Sequence, residues 1–183
     1  MKIKRIFLSI LLFFIIIASV KAQVKPFSIG GAIGIGEIKG NSPSVTSFGG
    51  SVFFDFQLWF TEDVSFRTGF LYARKIEYFL PESRLSRYYP FLKAIFLKGI
   101  LNFKFSNLIF TESNAGVMII NDRTFSDINI WEPGVTFGFV SGFDFTNNNF
   151  RGIKLGLGID SGIAFTKTSA SYYQFNLQLQ YFF

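Results

Sequence analysis

The 183 residues include no cysteine and no histidine, which excludes disulfides, thiolate metal sites and a cysteine-linked lipid, and removes the commonest transition-metal ligand. Aromatic residues make up 20% of the chain, 27 of them Phe, against 16% charged residues; one small soluble domain has too little interior for so much large apolar side chain. Four of the 18 basic residues fall within the first 22, leaving 14 basic against 12 acidic beyond them, so the net charge of +6 and the pI near 9.6 report mainly that leading segment and not a nucleic-acid surface.

Residues 1–22 read as an export signal. Lys2, Lys4 and Arg5 precede an unbroken apolar run from Ile6 to Ile17, and Val20-Lys21-Ala22 supplies the small residues that a signal peptidase reads. Cleavage is expected before Gln23. The apolar run is shorter than the roughly 20 residues of a membrane-spanning helix, and no later stretch approaches that length. The remainder, 23–183, is expected to form one domain.

In that domain the apolar excess is distributed with period two, the repeat of a strand whose faces meet different solvents. A weak alternation covers 26–37, where Gly30, Ala32 and Gly34 share a face. Phe54, Phe56, Leu58 and Phe60 then oppose Asp55 and Gln57. A third alternation covers 64–75. In the fourth, Ile95, Leu97, Leu101, Phe103 and Phe105 oppose Lys98, Asn102 and Lys104. The fifth, at 108–120, is weak. Val135, Phe137, Phe139, Phe143 and Phe145 alternate with Thr136, Gly138, Gly142 and Asp144. Ile153, Leu155, Leu157, Ile159, Ile163 and Phe165 alternate with Lys154, Gly156, Gly158, Asp160 and Gly162. The last strand sets Tyr173, Phe175, Leu177, Leu179, Tyr181 and Phe183 against Gln174, Asn176, Gln178 and Gln180.

These patterns predict an all-β fold: an eight-stranded, antiparallel, up-and-down transmembrane β-barrel, which has room inside for side chains and no more. A β-sandwich also uses period-two strands, but eight such faces would overfill its core, whereas lipid solvates them. The even connections carry brief turn clusters at 61–63, 106–107 and 146–149, while the odd ones, near 38–47, 76–92, 121–131 and 166–171, are expected to be external, with three of the four clearly longer. Gly30-Gly31-x-x-Gly34-x-Gly36 lacks the Lys-Ser/Thr and the helix start of a phosphate loop.

The chain resembles the PorT-like outer-membrane β-barrel family. The resemblance lies in Val64-Ser65-Phe66-Arg67-Thr68-Gly69-Phe70-Leu71-Tyr72-Ala73-Arg74-Lys75, in Tyr89-Pro90 leading into the fourth strand, in the Gly-alternating 134–145, and in the closing Leu177-Gln178-Leu179-Gln180-Tyr181-Phe182-Phe183. It implies an outer-membrane barrel, a role in some members in protein secretion, and no catalytic motif.

Three groups of residues are candidate sites. Asp55, Arg67, Lys75, Lys98, Lys104, Glu112, Asp144, Lys154 and Asp160 all fall on lumen faces, where unpaired charge is costly. They are expected to pair into a plug: Asp55 with Arg67, Glu112 with Lys98 or Lys104, and Asp144 with Lys154. The second external connection gathers Tyr78, Phe79, Arg84, Arg87, Tyr88 and Tyr89. Its rings suit an interfacial girdle, and its arginines suit lipopolysaccharide phosphates or the acidic surface of an envelope protein partner. Leu179, Tyr181 and Phe183 form the terminal aromatic strand that the outer-membrane insertion machinery reads. A Ser with a Lys base, such as Ser86 near Lys93, has no recognisable oxyanion arrangement around it.

The expectation is therefore a non-enzymatic, cofactor-free barrel in the bacterial outer membrane, with a closed polar lumen. It would act in envelope structure or partner binding through its external loops, amid outer-membrane lipid. A narrow channel, a hydrophobic-ligand transporter and a secretion-system accessory remain as alternatives.

Overall fold

The computed structural model describes residues 27–57, 64–80, 88–106, 108–147 and 151–183. Eight antiparallel strands close into a barrel in sequence order: β1 (Ser28–Lys39), β2 (Val45–Gln57), β3 (Val64–Lys75), β4 (Phe91–Lys104), β5 (Ile109–Arg123), β6 (Ile130–Asp144), β7 (Gly152–Ala164) and β8 (Ser171–Phe182). A short 3-10 turn, Ile76–Phe79, follows β3. Closure comes from β1 pairing with β8 along its whole length, from Ser28 opposite Phe182 to Lys39 opposite Ser171, so no strand edge is left open. The expected segment 1–22 lies outside the described residues, as do Leu58, Phe60 and the turn at 61–63.

Period two places each side chain on one of two surfaces. On β8 the outward row is Tyr173, Phe175, Leu177, Leu179, Tyr181 and Phe183, all exposed. At about 3.4 Å per residue and a tilt of about 40° this row rises roughly 25 Å, the height of the lipid-facing band. Aromatic rings stand at both ends of the row with leucines between them, as two interfaces and a hydrocarbon core require. Phe139, Phe143, Leu155, Leu157, Ile33 and Val52 continue the belt on neighbouring strands.

Connection lengths depart from the sequence expectation. The start of β1 and the end of β8 lie at the end that also holds the connections 58–63, 105–108 and 145–151, which corresponds to the periplasmic end of outer-membrane barrels. At the other end 76–90 is long, but 40–44, 124–129 and 165–170 are as short as the periplasmic turns. Much of the expected loops at 38–47 and 121–131 is strand instead, because the β1–β2 and β5–β6 ladders continue to Ile38–Val45 and Asp122–Ile130. The turn-forming residues there mark a hairpin tip alone.

Inward glycines let the walls approach. Gly142 of β6 faces Gly156 of β7, and a Cβ on Gly142 would collide with the Leu155 carbonyl oxygen and the Gly156 Cα. The strands cannot yield there without breaking the ladder. Gly142→Val should therefore abolish the compact barrel, read as loss of the fast-migrating unboiled band on a detergent gel; a normal heat shift in this variant would refute the constraint.

Candidate functional site

The lumen charges meet in the periplasmic half of the barrel, and Arg67 is their hub. Its Nε and Nη2 donate to Asp55 Oδ1 and Oδ2 at 2.7 and 2.8 Å, the fork-on-carboxylate geometry open to arginine and closed to lysine. Nη2 also donates to Glu112 Oε2 at 3.1 Å, and Nη1 donates to Gln178 Oε1 at 3.0 Å. The guanidinium lies 3.9 Å over the Phe53 ring. Gln180 Nε2 reaches both Asp55 Oδ2 and Ser28 Oγ at 2.6 Å, and Gln178 Nε2 donates to Glu112. One buried cation thus ties β3 to β2, β5 and β8.

Asp55 pairs with Arg67 as the sequence suggests, the two being directly opposite on β2 and β3. The other expected pairings change. Glu112 takes Arg67 at 3.1 Å, with Lys154 at 3.9 Å, and pairs with neither Lys98 nor Lys104. Lys98 instead crosses the lumen to Asp160 of β7 at 2.7 Å, and Asp160 also accepts from Tyr172 and Thr136. Asp144 lies opposite Lys154 but 4.0 Å away, and its close cation is Lys104 at 2.7 Å. Lys75 leaves the set, since it pairs at the external end with Glu77 at 2.9 Å. Four cations and four carboxylates remain, and the cross-lumen contacts exist because the barrel is narrow enough for side chains to bridge it.

Above this network the lumen is largely apolar, with Ser47, Thr136 and Gln174 as buried polar residues among the apolar ones, a correction to the expectation of a polar interior throughout. Ile38, Leu71, Ala73, Leu92, Ala94, Phe96, Met118, Ile120, Ala164 and Tyr172 form one buried cluster. The signal was present: Leu71 is in phase with Arg67, Leu92 and Phe96 with Lys98, and Ile120 with Glu112. The cavity bordered by Phe53, Arg67, Phe96, Lys98 and Asn114 has a volume of only about 20 Å³, room for one water. Two further buried carboxylates, not foreseen, hold the external turns. Asp122 accepts from the backbone N–H groups of Asn41 and Thr124, and Glu132 accepts from the backbone N–H and hydroxyl of Thr168.

In the external connection Tyr78 packs edge-on against Phe79 and Tyr89. Tyr89 is buried, so it anchors the connection and is not part of an exposed binding surface. Tyr88 donates its hydroxyl to the Arg123 carbonyl at 2.6 Å. Arg84 and Arg87 lie outside the described residues. Leu179, Tyr181 and Phe183 are all lipid-facing, the last two edge-to-face at 5.1 Å.

No protein-family model and no curated protein matches the sequence. Solved structures that share the fold include Neisserial surface protein A, at 10% identity and a TM-score of 0.68 over 87% of this chain and 99% of that one. The Yersinia pestis attachment invasion locus protein Ail, in complex with the heparin analogue sucrose octasulfate, is 10% identical with a TM-score of 0.53, over 86% of this chain and 98% of its own. The outer membrane enzyme PagL is 12% identical with a TM-score of 0.51, over 84% and 98%. The structural neighbours are small outer-membrane β-barrels, and the likeness is one of fold.

The geometry ranks the charges. Removing Arg67 leaves Asp55 and Glu112 buried without their main cation, which costs on the order of 3–5 kcal/mol. Lys104 is half exposed, and on its loss the buried Asp144 keeps the Thr146 N–H and hydroxyl and Lys154 at 4.0 Å, so the cost is smaller. Arg67→Ala should lower the temperature at which the heat-modifiable band is lost far more than Lys104→Ala, without raising conductance. Equal shifts would show that Arg67 is not the hub.

Proposed function

We propose that the protein is an exported, non-enzymatic outer-membrane barrel that contributes to envelope structure or binds an envelope partner through its external end. Residues 1–22 would be removed as a signal peptide before Gln23, and 23–183 would be inserted by the machinery that reads Leu179, Tyr181 and Phe183. The resemblance to PorT-like barrels supports this placement, and the outer-membrane barrels that share the fold agree with it.

The observation that carries the reading is the state of the lumen. An ion network fills its periplasmic half, and an apolar layer containing Leu71, Leu92 and Ile120, each no more than 1% exposed, closes the rest. A channel needs a continuous wet path, and a transporter of apolar ligands needs a cavity; the space beside Arg67 holds one water. Shared fold with PagL does not supply catalysis, because activity resides in a site and not in the barrel. The sequence has no histidine to act as a base.

Outer-membrane fractionation with a heat-shift gel, followed by reconstitution in planar bilayers, tests the proposal. The expected result is a heat-modifiable protein in the outer-membrane fraction that gives no stepwise current. Stable single-channel steps from the purified wild type, or recovery in the soluble periplasmic fraction, would overturn it. In the same strain Phe183→Ala should reduce the assembled band while leaving the exported, unfolded form detectable; an unchanged assembled level would remove the C-terminal residue from the assembly signal.

A further inference from the structure

The outer wall of β3, β4 and β5 ends externally in three cations that the lumen network does not use. Register sets out the wall in rows. Phe70, Ile95 and Ile119 lie side by side at the top of the apolar belt; the next outward row is Tyr72, Lys93 and Asn121; the last is Arg74, Phe91 and Arg123. All three cations gather about the Phe91 ring, with Arg74 Cζ at 5.3 Å, Lys93 Nζ at 5.4 Å and Arg123 Cζ at 5.6 Å from its centroid. Arg74 also stacks 3.4 Å over Tyr78 and donates to the Tyr72 hydroxyl.

Among the described residues none of the three has a carboxylate partner, whereas neighbouring Lys75 is paired with Glu77. The Nε atoms of Arg74 and Arg123 are shielded from solvent and meet no acceptor. Aromatic faces offset part of the repulsion among three like charges, but they cannot accept the donors of two guanidinium forks. These donors suit an anion with several oxygens, placed where the apolar belt gives way to the external rim. On the far wall the outward residues of β1 at this end are Glu37, hydrogen-bonded to Ser44, and Lys39, a single cation beside a carboxylate where the β3–β5 side carries three cations.

We propose that Arg74, Lys93 and Arg123 form a binding site for the phosphorylated head group of an outer-leaflet lipid, whose acyl chains run down over Phe70, Ile95 and Ile119. Guanidinium forks match phosphate oxygens two at a time, the rings of Tyr72, Phe91 and Tyr88 sit at the interface, and the apolar rows below receive the chains. The site rests on the outer-membrane placement proposed above and adds to it a specific lipid chemistry and a specific wall.

Native mass spectrometry of the detergent-released barrel tests the site, with lipid A carrying two phosphates as probe and the same glycolipid after phosphatase treatment as comparator. The wild type should retain the phosphorylated form better by about tenfold, and the variant R74Q/K93Q/R123Q should bring the two forms close to parity. The control K39Q/K167Q removes two other external cations and should keep the wild-type preference. Should the triple variant fail to give the heat-shifted band, Lys93→Gln alone is expected to reduce the preference by about threefold. A folded triple variant that retains the phosphorylated lipid like the wild type overturns the site, as does a control that loses the preference equally. A wild-type barrel that fractionates with the outer membrane yet shows no preference overturns this site alone, whereas failure of fractionation overturns the placement on which it rests.

Discussion

The structure depends on the neutralisation of Arg67 inside a closed wall. Strand alternation aims this guanidinium at the lumen, where no bulk water reaches it, and its carboxylate partners come from a neighbouring strand, β2, and from β5 beyond β4. With Gln178 of β8 added, the contacts span the barrel. A slip of one residue in any of these strands would turn an inward charge toward lipid, so the network specifies register as well as closure.

The apolar layer above it has a different task. Leu71, Leu92, Phe96, Met118 and Ile120 offer no hydrogen bonds, so they tolerate small shifts that an ion network would not. Tyr172 joins the two layers, with its ring in the apolar cluster and its hydroxyl on Asp160. Such packing requires room, and inward glycines provide it: Gly156 stands opposite Gly142, and a Cβ there would meet Val140 at 2.6 Å and Phe110 at 3.2 Å. Large and small inward residues are therefore complementary, and the many glycines of β6 and β7 reflect filling of the lumen, not flexibility.

Much of this was legible in the sequence because parity needs no knowledge of distance. The outward phenylalanines, the inward charges and the eight strands follow from alternation alone. What crosses the lumen was not legible. Lys98 could be placed on an inner face, but its choice of Asp160 over Glu112 depends on barrel radius and strand stagger, which neighbour-pairing rules do not encode. The polar residues near 121–131 suggested a loop, and they instead serve a hairpin, with Asp122 capping its tip through the Thr124 N–H and hydroxyl. The apolar layer was less legible because parity alone does not separate an inward leucine that fills a lumen from one beside a charge, although Leu71 shares the phase of Arg67.

A barrel built this way has few groups left with which to meet other molecules. The belt is committed to lipid, the lumen charges satisfy one another, and the buried carboxylates of the external mouth are occupied by the backbone of their own turns. At the rim, where a strand leaves hydrocarbon, its outward residues can again be charged without penalty. On β1, β2 and β8 the outward residues at that transition include Glu37, Thr46 and Ser171; on β3, β4 and β5 they are Arg74, Lys93 and Arg123 in adjoining rows. Those strands also carry the long connection whose aromatic turn lies over Arg74. The lipid site proposed for Arg74, Lys93 and Arg123 would place specificity in one sector of the outer wall, beneath the connection that joins β3 to β4.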